Sequence, residues 1–488
     1  MPDSKLDAPV KPRSAALDPA NLDTLRELGH RMLDDMFDSL ESIGEGQVWQ
    51  KMPDAVRAAW QDKLPHEATE PAQVYADFQR LIAPYVVGNR HPQFLGWVHG
   101  GGTAIGMLAE MLAGGLNANC GGRDHAPIAV ERQVIAWAAQ MLGFPPDASG
   151  LLMTGTSLAN FAAILVARAA AIGPQVRQGG AAGTQLVGYA AASAHLCVAR
   201  GFDMAGLGSD ALRMIDVDGN HRINLSALRQ RIAADRAVGR HPFMLIGTAG
   251  SVDVGAIDDL PALADLCTQE GLWLHIDAAF GAIAMLSPKL RPLLAGIERA
   301  DSVAFDFHKW AQVPYDCGCL IVRDAEAHQA AFARKADYLS RAPSGLAAGT
   351  PWPVDLGPEL SRGFRALKVW MTIKTYGADK LGAVAEHCCD LAQRLAILID
   401  AEPRLHRAAP VPLNIVCFRV IGVDDAQHIH IAAQLQEAGQ VVLSTTNVGG
   451  QTVLRAAFVN HRTTPDDVCA VVRAVVAQAT LASLRTAC

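Results

Sequence analysis

The chain has 488 residues, of which 50% are hydrophobic and 19% are charged. This length exceeds what one ordinary hydrophobic core holds, so we expect two or three domains in a well-buried globular enzyme rather than a disordered chain. The formal net charge of −7, without a long basic run, argues against nucleic acid or an anionic membrane as a partner.

The apolar stretches and the cysteines indicate the kind of compartment in which the chain works. The longest apolar stretches are rich in alanine and predict buried helices rather than membrane spans, and the N-terminus lacks a secretory signal pattern. The ten cysteines are irregularly spaced and lack the paired ligand sets of a zinc site, so we expect no metal. Reduced thiols in a cytoplasm are therefore predicted.

The N-terminal part, residues 1–85, is predicted to be a tail followed by helices. Residues 21–42 repeat apolar side chains at helical spacing, so one face of this helix must pack on another surface, such as a second subunit. The next stretch, residues 83–122, carries two glycine clusters around a predicted helix at 104–112. Such clusters let the backbone approach a ligand closely.

Residues 86–365 are predicted to form a large α/β domain with a mostly parallel, seven-stranded sheet. Short apolar runs alternate with helical stretches, which is typical of a parallel sheet covered by helices on both faces. The predicted strands are 151–153, 186–189, 212–217, 243–248, 272–277, 302–305 and 319–322, and the helices between them are 157–171, 193–204, 224–234 and 261–270. Ligands bind beyond the carboxyl ends of strands in such sheets, so polar residues there are candidates for a site.

Residues 366–488 are predicted to form a small C-terminal α/β domain. A long helix at 364–376 leads into it, and it contains strands at 414–420, 441–445 and 452–457 and a final helix at 465–479. The segment just before the long helix, residues 340–353, contains three prolines and two glycines. Loops of this length are often lids or binding loops, so a mobile loop is predicted at about 340–356.

Two predicted strand ends carry the chemistry that a cofactor with a pyridine ring and an aldehyde requires. Asp277 ends one strand, and the His308-Lys309 pair follows another. The carboxylate keeps the ring nitrogen protonated, while the amine forms a Schiff base. A lysine desolvated by its apolar neighbours would have a lowered pKa, which suits reaction with an aldehyde. The pair points to pyridoxal 5'-phosphate, PLP.

Other residues at strand ends carry weaker signals. Gly155-Thr156-Ser157 precede a helix, and free backbone N–H groups there form an anion site, although a simple helix cap has the same pattern. His195 could stack on a flat ring and guide a substrate carboxylate, or it could be an ordinary structural histidine. Ala279 matters only if a ring lies against it. The ordered set is much harder to obtain by chance than any one of its members.

These residues together resemble the group II PLP-dependent amino-acid decarboxylases, a family that includes aromatic-L-amino-acid and glutamate decarboxylases. The matching stretches extend from about residue 90 to 465 and are 91–94, 117–127, 155–160, 195, 247–251 with 255, 275–279, 301–310, 362–365 and 454–464. The resemblance implies a fold-type I subunit in an obligate homodimer with active sites at the interface. It also implies that the N-terminal helices wrap the partner subunit.

By the same resemblance, Lys309 carries the cofactor as an internal aldimine and Asp277 pairs with the pyridinium nitrogen. The ring would lie between His195 and Ala279. The remaining contacts, to the phosphate or beside the ring and substrate, are implied for Gly155, Thr156, Ser157, Thr248 and His308. Lys309, His195 and Asp277 would then be the catalytic residues in the decarboxylation of an L-amino acid to an amine and carbon dioxide.

The chain departs from the family pattern in the mobile loop. Family members carry a loop tyrosine that protonates Cα, whereas residues 340–356 contain no tyrosine and Tyr338 lies just upstream. A missing proton donor can let oxygen attack, so oxidative deamination to an aldehyde is an alternative outcome. His99 or a histidine of a partner subunit could protonate instead. A catalytically silent scaffold is a third reading, against which the intact residue set argues.

The predicted substrate pocket also departs from the pattern of the aromatic enzymes. Its candidate residues are Trp97, His99, Asn119 and Arg123. Arg123 could recognise an anionic side chain by a bidentate bond, or it could pair internally with Asp124. Trp97 could line the pocket or belong to the core. The sequence therefore leaves aromatic, acidic and aliphatic substrates open.

Overall fold

The computed structural model describes residues 17–19, 21–334 and 340–486. The described residues form two compact units, one from those up to residue 45 together with 50–86, the other from residues 46–49 together with those from 87 onward. Within these described ranges, no helix combines the length and the apolarity needed to cross a membrane.

The first unit is helical, with α1 (Leu22–Glu41), α2 (Asp54–Ala59) and α3 (Pro71–Leu81). Asn21 caps α1, because its side chain accepts a hydrogen bond from the backbone N–H of Asp23. The Tyr75 hydroxyl of α3 donates to Asp35 of α1 at 2.5 Å, and Gln79 donates to the same carboxylate at 2.8 Å. The predicted helix at 21–42 is confirmed.

The second unit contains a seven-stranded sheet in the order β1-β7-β6-β5-β4-β2-β3. Its strands are β1 (Ser149–Met153), β2 (Leu186–Ala191), β3 (Leu212–Ile215), β4 (His241–Thr248), β5 (Trp273–Asp277), β6 (Ser302–Asp306) and β7 (Gly318–Val322). All neighbouring strands are parallel except for β7, which is antiparallel to both β1 and β6. The predicted mostly parallel, seven-stranded sheet is confirmed.

Helices cover both faces of this sheet. They are α4 (Ala104–Leu116), α5 (Ala126–Leu142), α6 (Thr156–Ile172), α7 (Val176–Gly179), α8 (Cys197–Met204), α9 (Leu225–Ala237), α10 (Leu260–Glu270) and α11 (Ala325–Phe332). Strand residues alternate between two apolar cores, so that Leu245 packs in one core and its neighbour Ile246 in the other. Burial on both faces explains why the strands are continuous apolar runs in the sequence.

The C-terminal part of this unit contains α12 (Arg365–Ala401), α13 (Asp425–Glu437) and α14 (Pro465–Thr486). Its antiparallel sheet has the order β10-β11-β9-β8, from β8 (Leu405–Arg407), β9 (Ile415–Val420), β10 (Ser444–Val448) and β11 (Gln451–Ala457).

Three boundaries in this part were predicted wrongly, and the simplest case is the final helix, which ends at Thr486 instead of residue 479. The helix predicted at 364–376 continues to Ala401, because only Gly377 leaves the helical conformation (φ 76°, ψ 157°) and the helix resumes after it. The strand predicted at 441–445 begins at Ser444. The preceding residue Val442 pairs instead with Phe94, and its carbonyl accepts from the Leu95 N–H at 2.9 Å.

The segment predicted as a mobile loop, residues 340–356, is fastened around Trp352. The Trp352 side chain is fully buried, and its indole N–H donates to the Ala348 carbonyl at 2.7 Å. The Arg341 guanidinium lies 3.5 Å from the centre of the Trp352 ring. Its Nη2 atom donates to both carboxylate oxygens of Asp355. Arg132 of α5 donates to two carbonyls of the loop. Mobility of the loop remains a prediction, and Tyr338 lies outside the described residues.

Candidate active site

A cavity of about 360 Å³ opens at the carboxyl ends of the central strands. Its lining includes every residue that the sequence singled out for the cofactor, namely Gly155, Thr156, Ser157, His195, Thr248, Asp277, Ala279, His308 and Lys309. Parallel strands β4, β5 and β6 end at one edge of the sheet, which is why residues distant in sequence meet there. Three larger cavities elsewhere in the described structure, of about 390, 640 and 880 Å³, are lined by other residues.

Asp277 ends β5 and is buried at the floor of this cavity. One carboxylate oxygen accepts from Asn160 at 2.9 Å, and the other accepts from the Ala279 N–H at 3.1 Å. Burial raises the pKa of Asp277, although the Asn160 bond and the charges of Lys309 and His195 oppose this rise. A cation placed in the cavity would favour the ionised form further.

Lys309 projects into the same cavity, and its Nζ lies 2.9 Å from the Asp306 carboxylate. Burial lowers the pKa of Lys309, but the negative charges of Asp306 and Asp277 raise it more, so the net shift is upward. The lowered pKa expected from the apolar sequence context is therefore wrong. The reason is that Asp306, the last residue of β6, is buried beside the lysine amine.

Asp306 is a cavity residue that the sequence reasoning missed. Its side chain is almost fully buried, and it accepts from the backbone N–H of Thr156 at 2.7 Å as well as pairing with Lys309. The Nε2 atom of His308 lies 3.6 Å from the same carboxylate. An acidic residue at the end of an otherwise apolar strand was the available signal, because buried carboxylates are seldom left without partners.

The first turn of α6 has the properties of an anion site. Gly155 precedes the helix, and the buried hydroxyl Oγ1 of Thr156 has no hydrogen-bond partner in the described structure. The positive end of the helix dipole favours negative charge at this position, and the Thr156 N–H already donates to the Asp306 carboxylate there. Ser157 lines the cavity from the same turn. The orphaned Thr156 hydroxyl fits a phosphate group, whose oxygens accept hydrogen bonds.

His195 is a neutral imidazole at the cavity wall. Its Nδ1 accepts from the Cys197 N–H at 3.3 Å. Burial lowers the pKa of His195, and the charge of Asp277 opposes that shift only in part. Thr248 lies opposite Asp277 in the register of β4 and β5, and its N–H donates to the buried Asp258 at 2.8 Å. The uncharged His195 ring and the end of β4 at Thr248 therefore face the same cavity.

The turn at residues 97–102 approaches the backbone of Lys309 closely. A Cβ added at Gly100 would lie 2.3 Å from the His308 carbonyl oxygen and 2.4 Å from that of Lys309, so only glycine fits. His308 is held by the Cys317 N–H, which donates to its Nδ1 at 3.0 Å, and its ring centre lies 4.2 Å from that of Tyr315, with the two rings tilted by 36°. Burial lowers the pKa of His308.

Two of the four predicted substrate residues line the cavity and two do not. Trp97 and His99 belong to the lining, and their rings lie 6.0 Å apart. Asn119 instead accepts from the backbone N–H of Gly121 at 3.0 Å. The Arg123 guanidinium lies 4.6 Å from the centre of the buried Trp352 ring. Tyr315, which the sequence analysis did not select, lines the cavity with the first pair.

Comparison with known proteins places these observations in context. Residues 53–421 match the family model described as the pyridoxal-dependent decarboxylase conserved domain. An aromatic-L-amino-acid decarboxylase of Bacillus atrophaeus is 31% identical over 95% of this chain and 97% of that protein. A phenylacetaldehyde synthase of Arabidopsis thaliana is 28% identical over 91% of this chain and 93% of that protein.

A solved structure shares the fold. The crystal structure of Oryza sativa TDC with PLP and tryptamine matches with a TM-score of 0.88 at 24% identity, over 95% of this chain and 99% of that one. This likeness confirms the α/β architecture of the fold-type I class.

Proposed function

Because this chain belongs to the pyridoxal-dependent decarboxylase family, we propose that it removes the carboxylate of an L-amino acid as carbon dioxide, with PLP attached to Lys309. The observation that carries the proposal is the gathering of all nine candidate cofactor residues around one cavity, with Lys309 and Asp277 both on its lining. The first product would be the corresponding amine.

The residues present fit the cofactor at each of its functional groups. The unpartnered Thr156 hydroxyl and the start of α6 would hold the phosphate, and Lys309 would hold the aldehyde carbon. When bound, PLP supplies an electron-poor ring that accepts the electron pair left behind as carbon dioxide departs. Asp277 would hold the proton of the ring nitrogen through its carboxylate, which keeps the ring electron-poor.

Asp306 would influence the protonation state of the lysine amine. The raised pKa of Lys309, which results from its acidic neighbours, means that Nζ is protonated near neutral pH. An ammonium group cannot attack an aldehyde, so the proton must leave first. The Asp306 carboxylate, 2.9 Å from Nζ, would hold the ammonium group by a charged hydrogen bond until that proton is lost.

We propose that the substrate side chain is uncharged. Among the described residues that line the cavity, Lys309 is the only lysine or arginine, and it is committed to the cofactor. Aromatic and aliphatic side chains, among them Trp97, Val252, Phe280 and Tyr315, make up the apolar part of the lining. Such a surface gains from burying apolar area but leaves a second carboxylate without a partner.

The test combines attachment and turnover. The protein loaded with PLP is reduced with borohydride and mapped by peptide mass, and carbon dioxide release is measured across the twenty amino acids, DOPA and 2,4-diaminobutyrate. We expect the label on Lys309, and release from an uncharged aromatic or aliphatic substrate that the Lys309→Ala variant does not support. A label on a different lysine would contradict the site, and release from glutamate alone would contradict the substrate class.

Formation of an aldehyde instead of an amine is the second candidate outcome, and one feature of the sequence and one similarity favour it. Residues 340–356 contain no tyrosine, and the chain is similar to a phenylacetaldehyde synthase. If no group protonates Cα, oxygen can react there and the product is an aldehyde, with ammonia and peroxide. Measuring oxygen uptake, peroxide and ammonia against carbon dioxide separates the outcomes, because an amine-forming enzyme yields none of the three in stoichiometric amounts.

We also propose that the active form is a homodimer with its sites at the interface. Apolar side chains of α4 that follow the cavity turn, namely Met111, Leu112 and Leu116, are about half exposed or more. Trp97 and Tyr315 at the cavity are likewise about half exposed, at 49% and 47%. Clustered exposed apolar residues mark protein interfaces, so these surfaces are suited to a second copy of the chain.

A further inference from the structure

Beneath the cavity, the side chains of β5 that face α6 form a polar row. Strand residues alternate between faces, so Trp273, His275 and Asp277 point to one side while Leu274 and Ile276 pack in the opposite core. His275 lies beside Ser302 in the register of β5 and β6. His275 and Ser302 are both fully buried, as is Asn160 of α6.

Hydrogen bonds connect these side chains into one series that ends at Asp277. The indole N–H of Trp273 donates to Ser302 Oγ at 2.8 Å, and Ser302 Oγ lies 2.8 Å from His275 Nδ1. His275 Nε2 lies 2.8 Å from Asn160 Oδ1, and Asn160 Nδ2 donates to Asp277 Oδ2 at 2.9 Å. We call these five residues, Trp273, Ser302, His275, Asn160 and Asp277, the Asp277 relay.

The protons of the relay can be arranged in only one direction. Asn160 Nδ2 donates to Asp277 and also to Cys197 Sγ at 3.3 Å, so the amide oxygen must face His275. Burial lowers the pKa of His275 to about 3, so the ring is neutral at physiological pH. Nε2 must then carry the proton, and Nδ1 must accept one from the Ser302 hydroxyl.

We propose that Asn160, His275 and Ser302 are positioning residues that orient Asp277 and favour its carboxylate form, so that it can hold the ring-nitrogen proton of the cofactor. Each donor in the relay points toward Asp277, and a hydrogen bond to the ionised form of a carboxylate stabilises that form. The other titratable groups that face Asp277 are Lys309, His195 and Cys197. None of the three positioning residues lines the cavity.

This proposal rests on the proposed function, and its test has one arm that needs no cofactor. In the cofactor-free protein with ¹⁵N-labelled histidine, the His275 resonances, assigned by their loss in His275→Phe, should show a protonated Nε2 and a bare Nδ1. In Ser302→Ala the donor to Nδ1 is gone, so a second tautomer or a shifted resonance is expected. A wild-type His275 with its proton on Nδ1 would overturn the direction of the relay.

The second arm measures the cofactor. We expect Ser302→Ala to weaken PLP binding about tenfold and to shift the pH midpoint of the bound cofactor's absorbance, because one hydrogen bond at the end of a buried series is lost. Trp273→Phe removes only the first donor and should act in the same direction, which keeps the test available if Ser302→Ala does not fold.

The chain offers a matched control in a second buried histidine with a serine partner. His328 is fully buried, and its Nδ1 lies 2.8 Å from Ser149 Oγ, but neither residue lines the cavity. Ser149→Ala should lower stability as Ser302→Ala does and leave the absorbance and PLP affinity unchanged. Equal effects of both variants on PLP would overturn the positioning role. Failure of the wild-type chain to bind PLP would instead refute the proposed function.

Discussion

The chemistry of the cavity depends on where single charges are buried. Asp306 and Lys309 are three residues apart and pair at 2.9 Å, although the sequence around them is mostly apolar. An amine buried alone would lose its proton, whereas an amine buried with a carboxylate keeps it. The carboxylate of Asp306 therefore favours the charged form of Lys309.

Replacing Asp306 should alter the pH at which Lys309 reacts. In Asp306→Asn the acidic neighbour that raises the lysine pKa is removed while burial, which lowers it, remains. We expect the rate of PLP attachment, followed by absorbance, to reach its maximum at a lower pH, with a displacement of at least one pH unit. Asp301→Asn, at the start of the same strand, is the control, and an unmoved pH profile in Asp306→Asn would contradict the expectation.

Tyr315 is the tyrosine that lines the cavity in the described structure. Burial and the charge of Asp306 raise the pKa of Tyr315, so its hydroxyl retains the proton that a general acid must donate. We expect Tyr315→Phe to slow amine formation about a hundredfold, the usual order for a lost general acid, and to increase peroxide per carbon dioxide. Tyr376→Phe, remote from the cavity lining, is the control. An unchanged amine yield in Tyr315→Phe would assign the proton to another group, such as His99.

At the scale of elements, the sequence predicted the strands, but it did not predict which residues of neighbouring elements contact one another. The apolar run before Asp277 identified β5, and alternation along it is visible in the sequence. The pairing of Asp277 with Asn160, 117 positions earlier, required knowing that α6 packs on β5. Asp306 was missed for a similar reason, since its partner Thr156 N–H belongs to α6. Local patterns encode elements, while these partners depend on packing between elements.

The approach of the 97–102 turn to the lysine segment can be tested with one methyl group. Gly100→Ala would place Cβ against two backbone carbonyl oxygens that cannot rotate away. We expect a loss of about 1–3 kcal/mol in the free energy of unfolding, as for other overpacked sites, together with weaker PLP binding. Gly114→Ala in α4 has open space around the new Cβ and should be neutral or stabilising. Denaturant titration of both variants distinguishes them, and equal stability would refute the close approach.

At the scale of the whole molecule, the exposed apolar face of α4 should control assembly. Leu116→Glu puts a charge on a leucine that is 64% exposed, so a monomer should tolerate it while an apolar interface would not. We expect the molar mass by light scattering to fall by half and carbon dioxide release to fall with it. Ile429→Glu, which alters an exposed isoleucine of α13, is the control. A fully active monomer would contradict sites at a dimer interface.

Buried neutral histidines should make the whole fold sensitive to acid. Burial lowers the pKa of His275 to about 3 and that of His328 to about 4, whereas an unfolded histidine titrates near 6.5. Unfolding therefore takes up protons below about pH 6.5, and each histidine lowers stability by about 1.4 kcal/mol per pH unit until its folded pKa is reached. Denaturant titrations from pH 7 to 4 measure this slope. His328→Phe should reduce it, while replacing the exposed His406 serves as the control.

The place of Lys309 in the chain also limits how it can move. It belongs to the link of residues 307–317 between β6 and β7, two antiparallel neighbours in the interior of the sheet, and both ends of that link are paired in register. The sheet therefore fixes both ends of the segment that carries the side chain. The four-carbon side chain limits how far Nζ can move from that link. If PLP is held by Lys309 as proposed, the lysine amine would stay within reach of the cofactor throughout the reaction.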